Sequence, residues 1–231
     1  MLQQTQVDRV VPKYQSFLDR FPTITILADA PLRDVLSVWQ GLGYNRRAKM
    51  LLACAKEIVQ EHNGRIPRDI QRLEELPGIG PYTAGAVMAF AWNAPSVFIE
   101  TNIRSVFIHF FFSDSKNVSD KELLPYVEKT LDREDPREWY YALMDYGTRL
   151  KREGKNPSQK SRHHIKQTPF KGSNREIRGA IMTELTKYKL ISIKRLLNAL
   201  RHFEESRVRE QLDALKREGM IVLTKTTARI A

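Results

Sequence analysis

Residues 76–83 read Leu-Pro-Gly-Ile-Gly-Pro-Tyr-Thr. Gly78 and Gly80 flank Ile79. Both can take positive φ, and both lack the Cβ that would keep another backbone at a distance. Pro81 suits the first position of a helix, where a missing N–H costs nothing. A hairpin that enters a helix this way aims backbone N–H groups outward, a fit for one phosphate. The same residues also fit an ordinary turn between two helices, because Gly-x-Gly alone is weak. Glu100-Thr101-Asn102 opens a later apolar helix. There Thr101 and Asn102 stand ready to orient the carboxylate, and the helix N-terminus favours its charge. A bare helix-terminus acid is the plainer alternative. His163-His164 face different ways, with no Cys or acid at ligand spacing, so no metal is expected.

Helices must position these residues. Val7, Val10, Val11, Tyr14 and Leu18 repeat at helical spacing, and Phe21-Pro22 closes that segment. Leu32, Val35, Leu36 and Trp39 mark a second helix, and residues 47–61 a third, stopped by His62-Asn63-Gly64. A short helix at 70–73 leads into the hairpin, and residues 81–92 follow it, rich in Ala and Gly. Further helices are expected at 101–112, at 119–131 behind a Ser cap, and at 138–150.

The 231 residues carry a net charge of +11 and 42% apolar residues. That suffices for a sizeable core, excludes a disordered chain and suits a polyanionic partner. No run of 18 apolar residues and no signal-peptide pattern is present, so a soluble intracellular protein is expected. Cys54 is the one cysteine, which excludes an intramolecular disulfide. Residues 149–178 hold ten Lys and Arg against two Glu. This reads as a solvated linker or as an arm that faces phosphate. Beyond it, Ile177, Ile181, Leu185 and Tyr188, then residues 193–200, then Val208, Leu212 and Leu215 mark three helices. Residues 220–223 and 226–230 pair as a hairpin. Three helices and a hairpin resemble a winged helix-turn-helix, a module used for DNA or for dimerisation.

Five ordered segments carry a wider resemblance. They are Met1-Leu2-Gln3-Gln4-Thr5-Gln6-Val7, the stretch Trp39 to Ala48, the hairpin running on through Thr83-Ala84-Gly85-Ala86-Val87, the stretch Ile99 to Val106, and Met144-Asp145-Tyr146-Gly147. Together they resemble the helix-hairpin-helix base-excision DNA glycosylases, and among these the MutY-type adenine glycosylases. The resemblance implies a mostly α glycosylase fold with a small C-terminal winged-helix-like α+β unit. The expected division is a core at 1–148, a basic linker or DNA-contacting arm at 149–173, and the small domain at 174–231. Met144 to Gly147 matches a helix start in the family.

The resemblance also assigns roles. An N-glycosidic bond breaks through a cation-like sugar, so a carboxylate near the anomeric carbon assists. Glu100 falls where the family has its catalytic aspartate, followed by the matching Asn102. The glutamate is one methylene longer, a displacement of roughly 1 Å, which can cost about a hundredfold in rate. Tyr82 stands where bifunctional relatives carry a Schiff-base lysine, so strand cleavage is not expected. Gln4 matches the inserting glutamine, with Gln3 and Thr5 nearby. Tyr44 and Asn45 belong to the loop that probes the opposite strand. Arg46, Arg47 and Lys49 are expected on phosphate, as are Gly78, Ile79, Gly80 and Thr83 in the hairpin, where a monovalent cation is also allowed.

Three departures stand out. Relatives carry four cysteines for an iron–sulfur cluster after the core, and this chain does not, so no cofactor is expected. The adenine-protonating glutamate of the family lies two residues before the equivalent of Met1. No domain that reads 8-oxoguanine is recognisable. The implied partner is double-stranded DNA with a mismatched or damaged base, with no membrane, in the cytoplasm or nucleoid. The implied activity is monofunctional removal of a mispaired base, first adenine opposite 8-oxoguanine. Thymine or uracil removal, and a non-catalytic DNA-binding protein on the same scaffold, are the alternatives.

Overall fold

A computed structural model describes residues 1–166 and 168–231. The first four helices are α1 (Val7–Arg20), α2 (Ile24–Asp29), α3 (Leu32–Trp39) and α4 (Arg46–Glu61). Val10 and Phe17 of α1 are buried, as are Val35, Leu36 and Trp39 of α3. On α4 the buried Ala48, Leu52, Ala55 and Ile58 follow helical spacing. The expected stop after α4 is present: Gly64 takes a φ of +73° and its N–H reaches back 2.9 Å to the Ile58 carbonyl. The α2 helix was not expected. Its start is fixed by Thr23, whose side chain accepts from the Ile26 N–H at 3.2 Å.

The middle of the chain holds α5 (Ile70–Glu75), α6 (Pro81–Trp92), α7 (Thr101–Phe111), α8 (Asp120–Thr130) and α9 (Pro136–Arg152). Pro81 begins α6 as expected, and a capping box of Ser119 and Glu122 begins α8. Gly147 lies well inside α9 rather than at a helix start. Between α6 and α7 the extended segment is pinned from both sides. The buried Tyr140 hydroxyl donates to the Ser96 carbonyl at 2.7 Å, and the Ser96 hydroxyl donates to the Gly85 carbonyl at 2.7 Å. Phe98 stacks on Tyr140 with ring centroids 4.0 Å apart. This segment delivers Glu100 to the start of α7.

Part of the expected basic arm is packed structure. A short 3-10 helix runs Pro157–Lys160, and Ser158 and Ser161 are buried. The Val118 N–H donates to the Lys160 carbonyl, and the Arg162 N–H to the Val118 carbonyl, both at 2.9 Å. The bias to Lys and Arg hid this, because small Ser side chains carry the burial while the long cations point out. Gln167, within the expected arm, lies outside the described residues.

The tail adds α10 (Asn174–Lys187), β1 (Ile191–Ser192), α11 (Ile193–Ala199), α12 (Glu205–Arg217), β2 (Ile221–Leu223) and β3 (Thr227–Ile230). The antiparallel sheet has order β1-β3-β2, with Ile191 opposite Ala228 and Ile221 opposite Ile230. The three helices and the hairpin match the winged-helix expectation, and β1 is an addition. The chain divides into two compact units, residues 1–65 with 168–231, and residues 66–167. These bounds differ from the expected ones. Ile177, Ile181 and Leu185 of α10 share one apolar core with Val35, Leu36 and Leu52 of the first helices. Among the described residues no helix is long and apolar enough to cross a membrane.

Candidate functional site

In the unit of residues 66–167 the site grows from the entry into α6 and the entry into α7. The hairpin closes with the Ile79 N–H on the Leu76 carbonyl at 3.1 Å. Gly78 takes a φ of +78°, which only glycine adopts cheaply. Gly80 does not: its φ is −108° and ψ 179°, ordinary extended backbone. A Cβ there would meet nothing within 4 Å. The chain's own packing therefore does not require glycine at 80. Tyr82 and Thr83 follow in the first turn of α6.

Glu100 is the N-cap residue of α7. Its Oε1 accepts from the Asn102 N–H at 2.5 Å and the Ile103 N–H at 2.8 Å. Its Oε2 has a long contact of 3.5 Å from the Asn102 side-chain amide. Burial pushes the carboxyl above the ordinary glutamate range, and the helix N–H bonds with the nearby Arg104 charge offset only part of that. The Tyr82 hydroxyl is also raised, by burial first and then by the Glu100 charge. The Tyr82 ring meets Phe98 edge-on at 5.8 Å. The structure thus brings Glu100, Asn102 and Tyr82 together beside the hairpin.

Two supports of this cluster were not legible as such. Arg104, one turn into α7, makes a fork to Asp120 with bonds of 2.7 and 2.9 Å. Gly147 of α9 lies against Asn102: a Cβ at 147 would sit 2.6 Å from the Asn102 carbonyl oxygen and 2.7 Å from its Cα. The missing side chain at 147 lets α9 press directly on the first turn of α7.

The other sequence-derived residues belong to the first unit. Gln4 and Tyr44 both sit in the left-handed region, at φ +56° and +47°, and both are exposed. Non-glycine residues adopt this conformation uncommonly. Arg47 bonds to the residues beside both. Its guanidinium donates to the carbonyls of Met1, Gln3, Leu42 and Gly43 and to the Thr5 hydroxyl at 2.9 Å. It also lies over the rings of Trp39 and Tyr44, at 5.4 and 5.6 Å. The sequence assigned Arg47 to phosphate; the structure turns it inward, as the clamp that joins the Gln3–Thr5 turn to the Gly43–Tyr44 loop. Lys49 is placed otherwise too. Its ammonium donates to the Glu218 and Gly219 carbonyls at 2.6 and 2.9 Å, closing the C-terminus of α12. Arg46 is exposed at the start of α4, after Asn45.

A family model described as HhH-GPD superfamily base excision DNA repair protein matches residues 1–131. The chain belongs to this family. The match takes in the hairpin, Glu100 and the Gln3–Thr5 turn. Relatives named adenine DNA glycosylase include one from Buchnera aphidicola subsp. Baizongia pistaciae, 39% identical over 151 residues, or 64% of this chain and 42% of the relative. One from Mycolicibacterium smegmatis is 47% identical over 106 residues, 46% of this chain and 36% of the relative. The human one is 33% identical over 151 residues, 64% of this chain and 28% of the relative. The chain thus spans less than half the length of these relatives. Among solved structures, a thermostable thymine-DNA glycosylase aligns with a TM-score of 0.58 at 26% identity, covering 63% of this chain and 69% of that one. An endonuclease III trapped as a covalent intermediate with DNA aligns with a TM-score of 0.51 at 22% identity, over 73% of each chain, a likeness of fold.

Proposed function

We propose that this HhH-GPD protein is a monofunctional DNA glycosylase that hydrolyses the N-glycosidic bond of a mispaired base in duplex DNA, with adenine opposite 8-oxoguanine as the substrate. The half-buried carboxylate of Glu100, held at a helix N-terminus beside Tyr82 and the hairpin, carries the reading. As the base departs, positive charge grows at the anomeric carbon. A carboxylate in a desolvated site stabilises that charge far better than one in water. One oxygen of Glu100 is spent on the helix N–H groups, which fixes the group. The other, with its single long contact, is left for the sugar. Capping and catalysis therefore coexist in one side chain.

The hairpin would take a phosphate of the strand that carries the base, with Gly80 leaving room for its approach. Gln4, in its left-handed turn, would enter the space left by the extruded nucleotide, with Gln3 and Thr5 behind it and Tyr44, Asn45 and Arg46 against the duplex. Tyr82 offers no amine for a Schiff base, so the abasic strand would stay intact. A four-thiolate cluster has no counterpart here: Cys54 is the chain's one cysteine, and burial pushes its thiol up to about 11. We infer that the segment after α9 is ordered by its bonds to Val118 in place of a cluster. The names of the sequence relatives favour adenine. The likeness to a thymine-DNA glycosylase favours removal of mismatched thymine as the second reading.

The test is a strand-labelled duplex with adenine opposite 8-oxoguanine, beside one with thymine opposite guanine. Cleavage of the adenine strand only after hot alkali is the expected result. Cleavage without alkali, or a covalent adduct trapped by borohydride, refutes the monofunctional assignment; cleavage of the thymine duplex alone replaces the substrate.

A further inference from the structure

The tail begins with a hollow of about 480 Å³ lined by Thr168, Pro169, Lys171, Gly172, Ser173, Asn174 and Arg175. Its charge is one-sided. Lys171 is exposed, Arg175 is half-exposed, and Arg207 reaches over from α12 to the Gly172 carbonyl at 2.9 Å and the Asn174 side chain at 2.8 Å. Glu176, the one acid of residues 168–178, is already engaged, accepting from the Gly172 N–H at 2.5 Å. The Ser173 hydroxyl likewise takes the Glu176 N–H. Any anion held here therefore depends on the side-chain cations rather than on open backbone groups.

The hollow also adjoins the Tyr44 loop. The Arg175 guanidinium lies 3.5 Å from the Tyr44 hydroxyl on one side and donates to the Thr168 carbonyl at 2.5 Å on the other. The face of α12 gives the contrast. A winged helix that reads DNA with its third helix needs a basic surface there. Here Glu205, Glu210 and Asp213 share the exposed face with Arg209, Lys216 and Arg217, and Arg209 is paired to Glu205 at 2.7 Å. At the start of α10, by contrast, Lys171 and Arg175 stand with the single acid Glu176, which is engaged.

We propose that the hollow lined by Lys171 and Arg175 beside Tyr44, with Arg207 bonded to its wall, binds the sugar-phosphate backbone of the strand opposite the excised base. This rests on the reading of Tyr44 as an opposite-strand residue of a duplex-binding glycosylase. The tail then grips DNA through the edge that joins it to the glycosylase loops, and α12 stays out of the groove. The phosphodiester groups of that strand are the complementary chemistry, and the flat, planar guanidinium of Arg175 suits two phosphate oxygens.

The test uses the Glu100→Gln protein, so that DNA is bound without turnover, and a duplex with adenine opposite 8-oxoguanine. Methylphosphonate linkages, which remove the charge, are placed in the adenine strand or in the 8-oxoguanine strand. Lys171→Ala with Arg175→Ala should lower the log–log salt slope by up to about two units, at about 0.9 per phosphate contact. Methylphosphonates in the 8-oxoguanine strand should weaken the Glu100→Gln protein more than they weaken the triple variant. Arg175→Lys, which keeps the charge, should restore most of the slope. An unchanged slope, or sensitivity confined to the adenine strand, overturns the proposal while DNA binding survives. Failure of the Glu100→Gln protein to prefer this duplex over a fully paired one would instead overturn the functional reading on which it rests.

Discussion

Gly147→Ala adds one methyl group where α9 meets α7. The new Cβ would stand 2.6 Å from the Asn102 Cβ and carbonyl oxygen and 2.7 Å from its Cα, against ordinary contacts that begin at 3.4 Å. The helices must part by the difference, about 0.8 Å, since the opposing atoms are largely backbone and have no rotamer to change. Overpacking of this kind costs about 1–3 kcal/mol. The displacement falls on the residue whose N–H holds Glu100. A reacting group misplaced by about 1 Å costs up to about a hundredfold in rate. The expected outcome is a folded but less stable protein whose single-turnover excision falls by about ten- to a hundredfold, with duplex affinity nearly unchanged. Urea denaturation and quenched excision assays at saturating enzyme read the two effects separately. A variant as stable and as fast as the parent would refute the claim that this contact positions the carboxylate.

The Arg47 clamp and the Glu100 carboxyl give two more expectations. Arg47→Lys keeps the charge but loses the fork that joins the two loops, and should cost about 2–3 kcal/mol in urea denaturation; no loss would show that the clamp is not structural. The folded protein holds the Glu100 proton to higher pH than the unfolded chain does, because burial raises that pKa. Its contribution to stability is therefore full below the ordinary glutamate pKa and is lost as pH rises through the raised value. Denaturation against pH should show Glu100→Gln gaining on the parent across that window, and parent excision should fall on acidification with a midpoint above the ordinary glutamate value. Parallel stability curves would contradict both.

Much of the architecture was legible because it is locally encoded. Pro81 after two glycines, the Gly64 stop and the Ser119 cap each fix a helix end from within a few residues, and the observed ends agree with them. The α2 helix escaped notice because Ile24-Thr25-Ile26 is β-branched and only the Thr23 cap marks its start. Two-residue β1 is too short to carry a pattern. The site was partly legible for the same reason. Glu100, Asn102 and Tyr82 come together as the motif order implied. Arg47 and Lys49 looked like phosphate ligands because sequence reveals a charge and not the carbonyls that will surround it. Arg104, Asp120 and Gly147 support α7 through contacts between residues far apart in the chain, which no local pattern records. The tail's apolar spacing correctly marked α10, but spacing alone does not say that its buried face would share a core with α3 and α4.

The central claim is that the Glu100 carboxylate drives cleavage of the glycosidic bond, an effect on the transition state rather than on binding. Single-turnover excision on the adenine–8-oxoguanine duplex, with affinity measured on the same duplex, tests it in one comparison of parent and Glu100→Gln. Excision should disappear while affinity stays within a few-fold. A Glu100→Gln protein that releases the base at the parent's rate would contradict the account.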